Sequence, residues 1–212
     1  MSARVRAVGA AVALIGWSNW LLPAMRLGPD ARAATNGALA VALTAVALRT
    51  DASRSELGLE PGPGLRRAAA VAAVPVLGYS AALAVPAVRA RLAAGPGLGS
   101  GEFARWVGVR IPIGTVLAEE LFFRSLLYAA VRRAWPRAGG VVGALAFGLW
   151  HVRPARVAAE SVAVTVAVTA ASSLLFDRLR REGGVAAPAL LHLSVNVGGA
   201  VAARWAAGRL AR

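Results

Sequence analysis

The sequence predicts an all-α fold: a polytopic membrane protein of about seven transmembrane helices, with residues 1–212 forming a single integral membrane domain. Three observations predict it. The 212 residues are 58% hydrophobic, with a mean hydropathy of +0.60. The apolar residues come in long blocks, and about 20 in a row suffice for a helix to cross a bilayer. Short segments rich in arginine, proline and glycine separate the blocks. There is no cysteine, so disulfides and thiolate metal sites are excluded. All 24 basic residues are arginine, as a genome-wide base-composition bias would give, and no function is read into the missing lysine. The formal charge of +14 suits arginine-rich loops lying against anionic headgroups, which also set topology; no nucleic-acid partner is expected.

The first span is read at residues 5–25. Arg4 and Arg6 flank its start as in a signal peptide, but the run is long and lacks an A-x-A site, so it reads as a retained helix. Residues 33–48 form the second span, and residues 49–67 a loop marked by Pro-Gly turns. Residues 68–92 form the third, with Pro75 and Pro86 expected to kink or break it. Residues 95–102 are another loop. Residues 106–131 form the fourth span, ended by RRAWPR. The fifth, residues 139–151, has only 13 residues and covers roughly 20 Å as a helix, short enough to stop inside the membrane. Residues 156–176 form the sixth, followed by a loop, DRLRREGG. Residues 185–206 form the seventh. Residues 1–105 therefore hold the N-terminal spans, and residues 106–207 hold every motif discussed next. The segments 132–137 and 177–182 fall on one side, which is placed in the cytoplasm.

The stretch LAEELFFRSLL puts Glu119, Glu120 and Arg124 inside the fourth span. A charged side chain at mid-bilayer costs about 2.5–3.5 kcal/mol on insertion scales, so these three need partners or water. Glu120 and Arg124 are four apart with the acid first, which suits an ion pair along one helix face. Glu119 has Thr115, Val116, Phe122 and Phe123 three and four residues away, none of them a counter-charge. Its partner must come from another helix or from a wet cavity. The bland alternative is that all three residues are structural glue between helices.

The chain has 2 histidines. His151 closes the fifth span in FGLWH, and His192 lies early in the seventh in LLHLSVN. Gly139, Gly143, Phe147 and His151 share one helical stripe, whose glycines allow another helix to approach closely. His192 and Asn196 are four apart and face one way. Counting 1.5 Å per residue from the span ends puts Glu119, His151 and His192 at mid-membrane or on the RRAWPR side of it, where they can meet in one cavity. A carboxylate away from bulk water is a better base, and beside an imidazole it can hold and deprotonate a water. A second imidazole and an amide can donate to the oxyanion that forms when water attacks a carbonyl. No H-E-x-x-H, no G-x-S-x-G and no pair of intramembrane aspartates offers another proteolytic chemistry. A zinc ion held by Glu119, His151 and His192 remains open.

The three segments EELFFR, FGLWH and HLSVN resemble the E-E-x-x-x-R, F-x-x-x-H and H-x-x-x-N motifs of the CAAX-protease and bacteriocin-processing (CPBP, or Abi) family of intramembrane endopeptidases. Their order and their placement on separate spans match, over residues 107–197; the first three spans carry no signature. The resemblance implies a catalytic bundle formed by the C-terminal spans. It implies that Glu119 and His151 activate water and that His192 and Asn196 form the oxyanion site. Glu120 and Arg124 are then structural, and Phe147 is a packing aromatic. It further implies a membrane-associated protein or peptide as substrate and a multi-pass location; the composition looks bacterial, which makes the expected membrane the bacterial plasma membrane. No cofactor is expected, and the partners are the substrate and membrane lipid. Two other readings fit the same charges: a non-enzymatic scaffold or immunity protein that binds other membrane proteins, and a small transporter with a proton-relay glutamate.

Overall fold

The computed structural model describes residues 1–94 and 97–210. Gly95 and Pro96, at the start of the loop expected at 95–102, lie outside the described residues. Among the described residues every regular element is a helix. They are α1, Ala3–Ala24; α2, Pro29–Thr50; α3, Leu65–Ala84; α4, Pro86–Ala93; and α5, residues 100–134. The chain continues with α6, Gly139–Trp150; α7, Val152–Val157; α8, Val162–Gly183; and α9, Ala186–Leu210. Among the described residues, length and composition make five helices able to cross a membrane: α1, α2, α3, α8 and α9. The expected seven adds α5, which carries the buried charges, and α6, which is short. The outward faces display Val12, Leu43, Val74, Leu77 and Val164, a surface suited to lipid tails.

Local chemistry sets the helix ends. Ser2 caps α1 by accepting from the Val5 N–H, and Ser161 caps α8 by accepting from that of Val164. The third expected span is divided: Val85 is extended, as the residue before a proline tends to be, so α3 ends at Ala84 and α4 opens with Pro86. Pro75 stays inside α3. The sixth span is displaced from the expected 156–176. Arg156 falls in the short α7, and the supposed loop DRLRREGG continues α8 to Gly183. The helix stops at Gly184, whose φ of +72° suits glycine and where a Cβ would lie 2.8 Å from the Gly58 carbonyl oxygen.

Helix α5 is the axis of the bundle. On one side its Ala118, Phe122, Phe123, Leu127 and Val131 pack with α1, α2 and α6 in one buried cluster. On the other, Ile111 and Val116 meet Ala200 of α9. Small residues bring α2 and α5 together: a Cβ on Gly114 would come within 2.6 Å of that of Ala33. Gly139 likewise sits against the Val131 carbonyl, where a Cβ would be 2.5 Å away, whereas a Cβ on Gly143 would have only ordinary contact at 3.9 Å. The close approach on that stripe thus rests on Gly139. Much of α5, over Trp106–Leu117 and Glu120–Leu127, is wound wide with i→i+5 bonding, a winding that often marks functional sites.

The loop between α2 and α3 staples the far end. Arg133 bonds Glu56 at 2.8 Å, while the Ser53 N–H and that guanidinium hold the Glu56 carboxyl down at about 2. Arg180 donates to the Arg124 carbonyl at 3.0 Å and stacks 4.1 Å over the Tyr128 ring.

Candidate active site

Glu119 and Glu120 are neighbours on α5, and as consecutive helical residues they point about 100° apart, to different partners. Both are buried, as are Arg124 and His192. Glu119 Oε1 accepts from the Trp150 indole N–H at 3.1 Å. Its Oε2 lies 3.9 Å from His151 Nε2 and 3.8 Å from His192 Nε2, and accepts from no side chain. The structure therefore brings Glu119, His151 and His192 together from α5, the end of α6, and α9.

The far nitrogens of both rings are tied. His151 Nδ1 lies 2.8 Å from the Phe147 carbonyl oxygen. His192 Nδ1 lies 2.8 Å from Glu120 Oε1. A carbonyl and a carboxylate only accept, so each Nδ1 carries a hydrogen, and each ring turns its Nε2 toward Glu119. Glu119 Oε2 and the two Nε2 atoms thus face one another.

Asn196 is half-buried and donates one amide hydrogen to the His192 carbonyl at 3.0 Å; its amide has a second N–H to offer. A cavity of about 400 Å³ is lined by Glu119, His151, Trp150 and Asn196 at its base and by Pro29, Arg32 and Arg110. The latter belong to the end of the bundle away from the RRAWPR turn. Around Arg110, Asp30 and Glu102 form ion pairs, each at 2.5 Å.

Arg124 is fully enclosed. Its guanidinium lies 4.1 Å from the Phe147 ring centre and 4.8 Å from that of Phe176. Carboxylates flank its edge, Glu120 at 3.7 Å and Asp177 at 3.9 Å. Stacking between aromatic faces offsets part of the dehydration of the charge, by up to about 2 kcal/mol per face when desolvated. Phe147 also packs edge-on to His151, centroids 4.7 Å apart, so it touches both the arginine and the imidazole.

Four residues of this region are not singled out by the sequence. Asp177 sits in a charged run that reads as a loop, though it continues a helical stripe from Ser173. Trp150 lies next to His151 and reads as packing. Ser18 and Asn19 are uncharged interruptions of the first apolar block. The Ser18 hydroxyl donates to the Trp150 carbonyl at 2.8 Å. The Asn19 amide donates to the Leu149 carbonyl at 3.0 Å and its oxygen accepts from the Arg153 N–H at 2.7 Å. Asn36 of α2, also unremarkable in the sequence, links α1 and α5, accepting from the Trp17 indole at 2.8 Å and donating to the Gly114 carbonyl at 2.6 Å.

Among the described residues, no three His, Asp or Glu side chains are arranged to hold a metal. Ligands of a tetrahedral zinc bound at 2.0–2.2 Å lie roughly 3.3 Å from one another; the two Oε2–Nε2 separations here are 3.8 and 3.9 Å. Residues 101–198, which hold all seven motif residues, match the family described as type II CAAX prenyl endopeptidase, Rce1-like. No curated protein and no solved structure gives a significant match to the chain.

Proposed function

We propose, from the premise that the segment 101–198 belongs to the Rce1-like type II CAAX prenyl endopeptidase family, that this multi-pass membrane protein is an intramembrane endopeptidase whose nucleophile is a water activated by Glu119 and His151. The observation that carries the reading is the placing of Glu119 Oε2 at 3.9 Å and 3.8 Å from the two Nε2 atoms, with both Nδ1 atoms already bonded elsewhere. The substrate is a membrane-associated protein or peptide entering the cavity above these groups.

The reaction runs without a covalent enzyme intermediate. A water between Glu119 Oε2 and His151 Nε2 gives a proton to the carboxylate as its oxygen bonds to the scissile carbonyl carbon. The Glu120 carboxylate compensates the charge when His192 carries a second proton, on Nε2. In that form His192, with the free N–H of Asn196, donates to the developing oxyanion. The intermediate then collapses: the C–N bond breaks, and the proton held by Glu119 passes to the leaving nitrogen. Trp150 keeps Glu119 aimed by holding its other oxygen. Glu120 and Arg124 support this set from beneath, and Phe147 packs between Arg124 and His151.

The test compares the membrane proteomes of cells carrying the wild-type chain and Glu119→Ala at equal abundance. N-termini present with the wild type and missing with the variant support the reading. Identical sets of N-termini contradict it.

A further inference from the structure

Helix α6 has an unusual problem at its C-terminal end. It is 12 residues long and ends at Trp150, which is 3% exposed. The last four carbonyls of any helix lack partners within it and need donors from elsewhere. Here each has one. His151 itself serves two: its Nδ1–H donates to Phe147 at 2.8 Å, and its backbone N–H to Gly148 at 3.0 Å. The other two, Leu149 and Trp150, are served from α1 by Asn19 and Ser18 at 3.0 and 2.8 Å. The Asn19 oxygen then reaches across the break to accept the Arg153 N–H at 2.7 Å.

We infer that Ser18 and Asn19 are positioning residues of the active site: a polar clasp on α1 that grips the backbone on both sides of His151 and so fixes where its Nε2 points. The inference rests on the proposed protease reading for its kinetic consequence. The grip itself is geometric. Residues 149, 150 and 153 are held, residue 151 lies between them, and its ring is left one internal bond, to Phe147. The clasp also orders Trp150, whose indole orients Glu119. One pair of side chains on the first span thereby sets both members of the water-activating pair. The wide winding over Trp17–Leu21 places Ser18 and Asn19, consecutive in sequence, so that both are buried and both reach α6. Helix α1 lies outside the segment matched by the family, so this role belongs to a part of the chain that carries no motif.

The test uses the full chain in detergent micelles or bilayers. A fluorogenic farnesylated peptide ending in Cys-aliphatic-aliphatic-X gives the rates, and ¹⁵N-histidine labelling reads the rings. With 2 histidines in the chain, the spectrum contains two imidazoles, assigned with His192→Gln. Asn19→Ala lowers kcat by up to about 100-fold, as an ångström-scale misplacement does, with KM within about twofold. It shifts the His151 nitrogens away from the Nδ1–H tautomer and leaves those of His192 in place. Ser18→Ala acts the same way more weakly, and Ser18→Thr, which keeps the hydroxyl, recovers most of the rate. Unchanged His151 nitrogens in Asn19→Ala overturn the inference. So does an equal disturbance of both rings with a lost melting transition, the mark of a merely structural role. If the wild type cleaves and Glu119→Ala cleaves as fast, the protease reading falls, while the ring spectra still decide the clasp.

Discussion

His192 Nδ1 lies 2.8 Å from Glu120 Oε1, so the second glutamate of the pair bonds an imidazole that faces the first. Glu120 is thereby more than the partner of Arg124: one oxygen orients a ring while the other lies 3.7 Å from the guanidinium. A carboxylate on Nδ1 fixes the tautomer and balances an imidazolium, as in the carboxylate–histidine pair of serine proteases.

Replacing the carboxylate by an amide exposes this role. Glu120→Gln is expected to lower kcat by at least about 100-fold, given that the comparable serine-protease substitution costs about 10⁴. The His192 nitrogens change while KM moves little. Steady-state kinetics on the farnesylated peptide and ¹⁵N-histidine spectra check it; a purely structural Glu120 would alter the melting temperature and leave the His192 tautomer as it is.

Arg124 and Asp177 make a separate prediction about stability. Removing one partner of a buried ion pair leaves an uncompensated charge and costs about 3–5 kcal/mol. Arg124→Met, which strands two carboxylates, is expected to cost that much, seen as lost abundance in membranes and a lowered unfolding midpoint in mild detergent. Asp177→Asn leaves Glu120 beside the guanidinium and costs less, about 1–3 kcal/mol. Equal stability of all three proteins would mean that the buried charges are compensated by other means.

Metal dependence is a third point. The proton from water passes through Glu119 and the oxyanion is met by His192 and Asn196, with no metal in any step, so prolonged incubation of the purified protein with a strong chelator is expected to leave the rate within about twofold. A rate that falls with chelation and returns with added zinc would instead assign Glu119, His151 and His192 as ligands.

Much of the site is legible in the sequence because charge inside an apolar span is conspicuous. Glu119, lacking a counter-charge on its own helix, points to a partner elsewhere, and the two histidines stand alone. The polar residues on α1 and α2 escape that logic. Ser18, Asn19 and Asn36 are uncharged and easily carried by a span, and their importance comes from which helix end they meet. Asp177 is hidden differently: its neighbours are arginines, so hydropathy ends the span before it. The helix instead runs from the Ser161 cap to Gly184, long enough to bury Asp177 against Arg124. The wide winding of α5 has no signal in composition at all. Glu119 and Glu120, adjacent on that helix, meet opposite nitrogens of the same His192 ring.

The most direct measurement is the turnover of the farnesylated peptide by Glu119→Gln, reconstituted beside the wild type and verified as folded by its melting curve. The amide keeps the volume and the acceptor for Trp150 but cannot take a proton from water. The account predicts a kcat reduced by about 10²–10⁴, the range of a lost general base, in a protein of unchanged melting temperature. Turnover at the wild-type rate would contradict it.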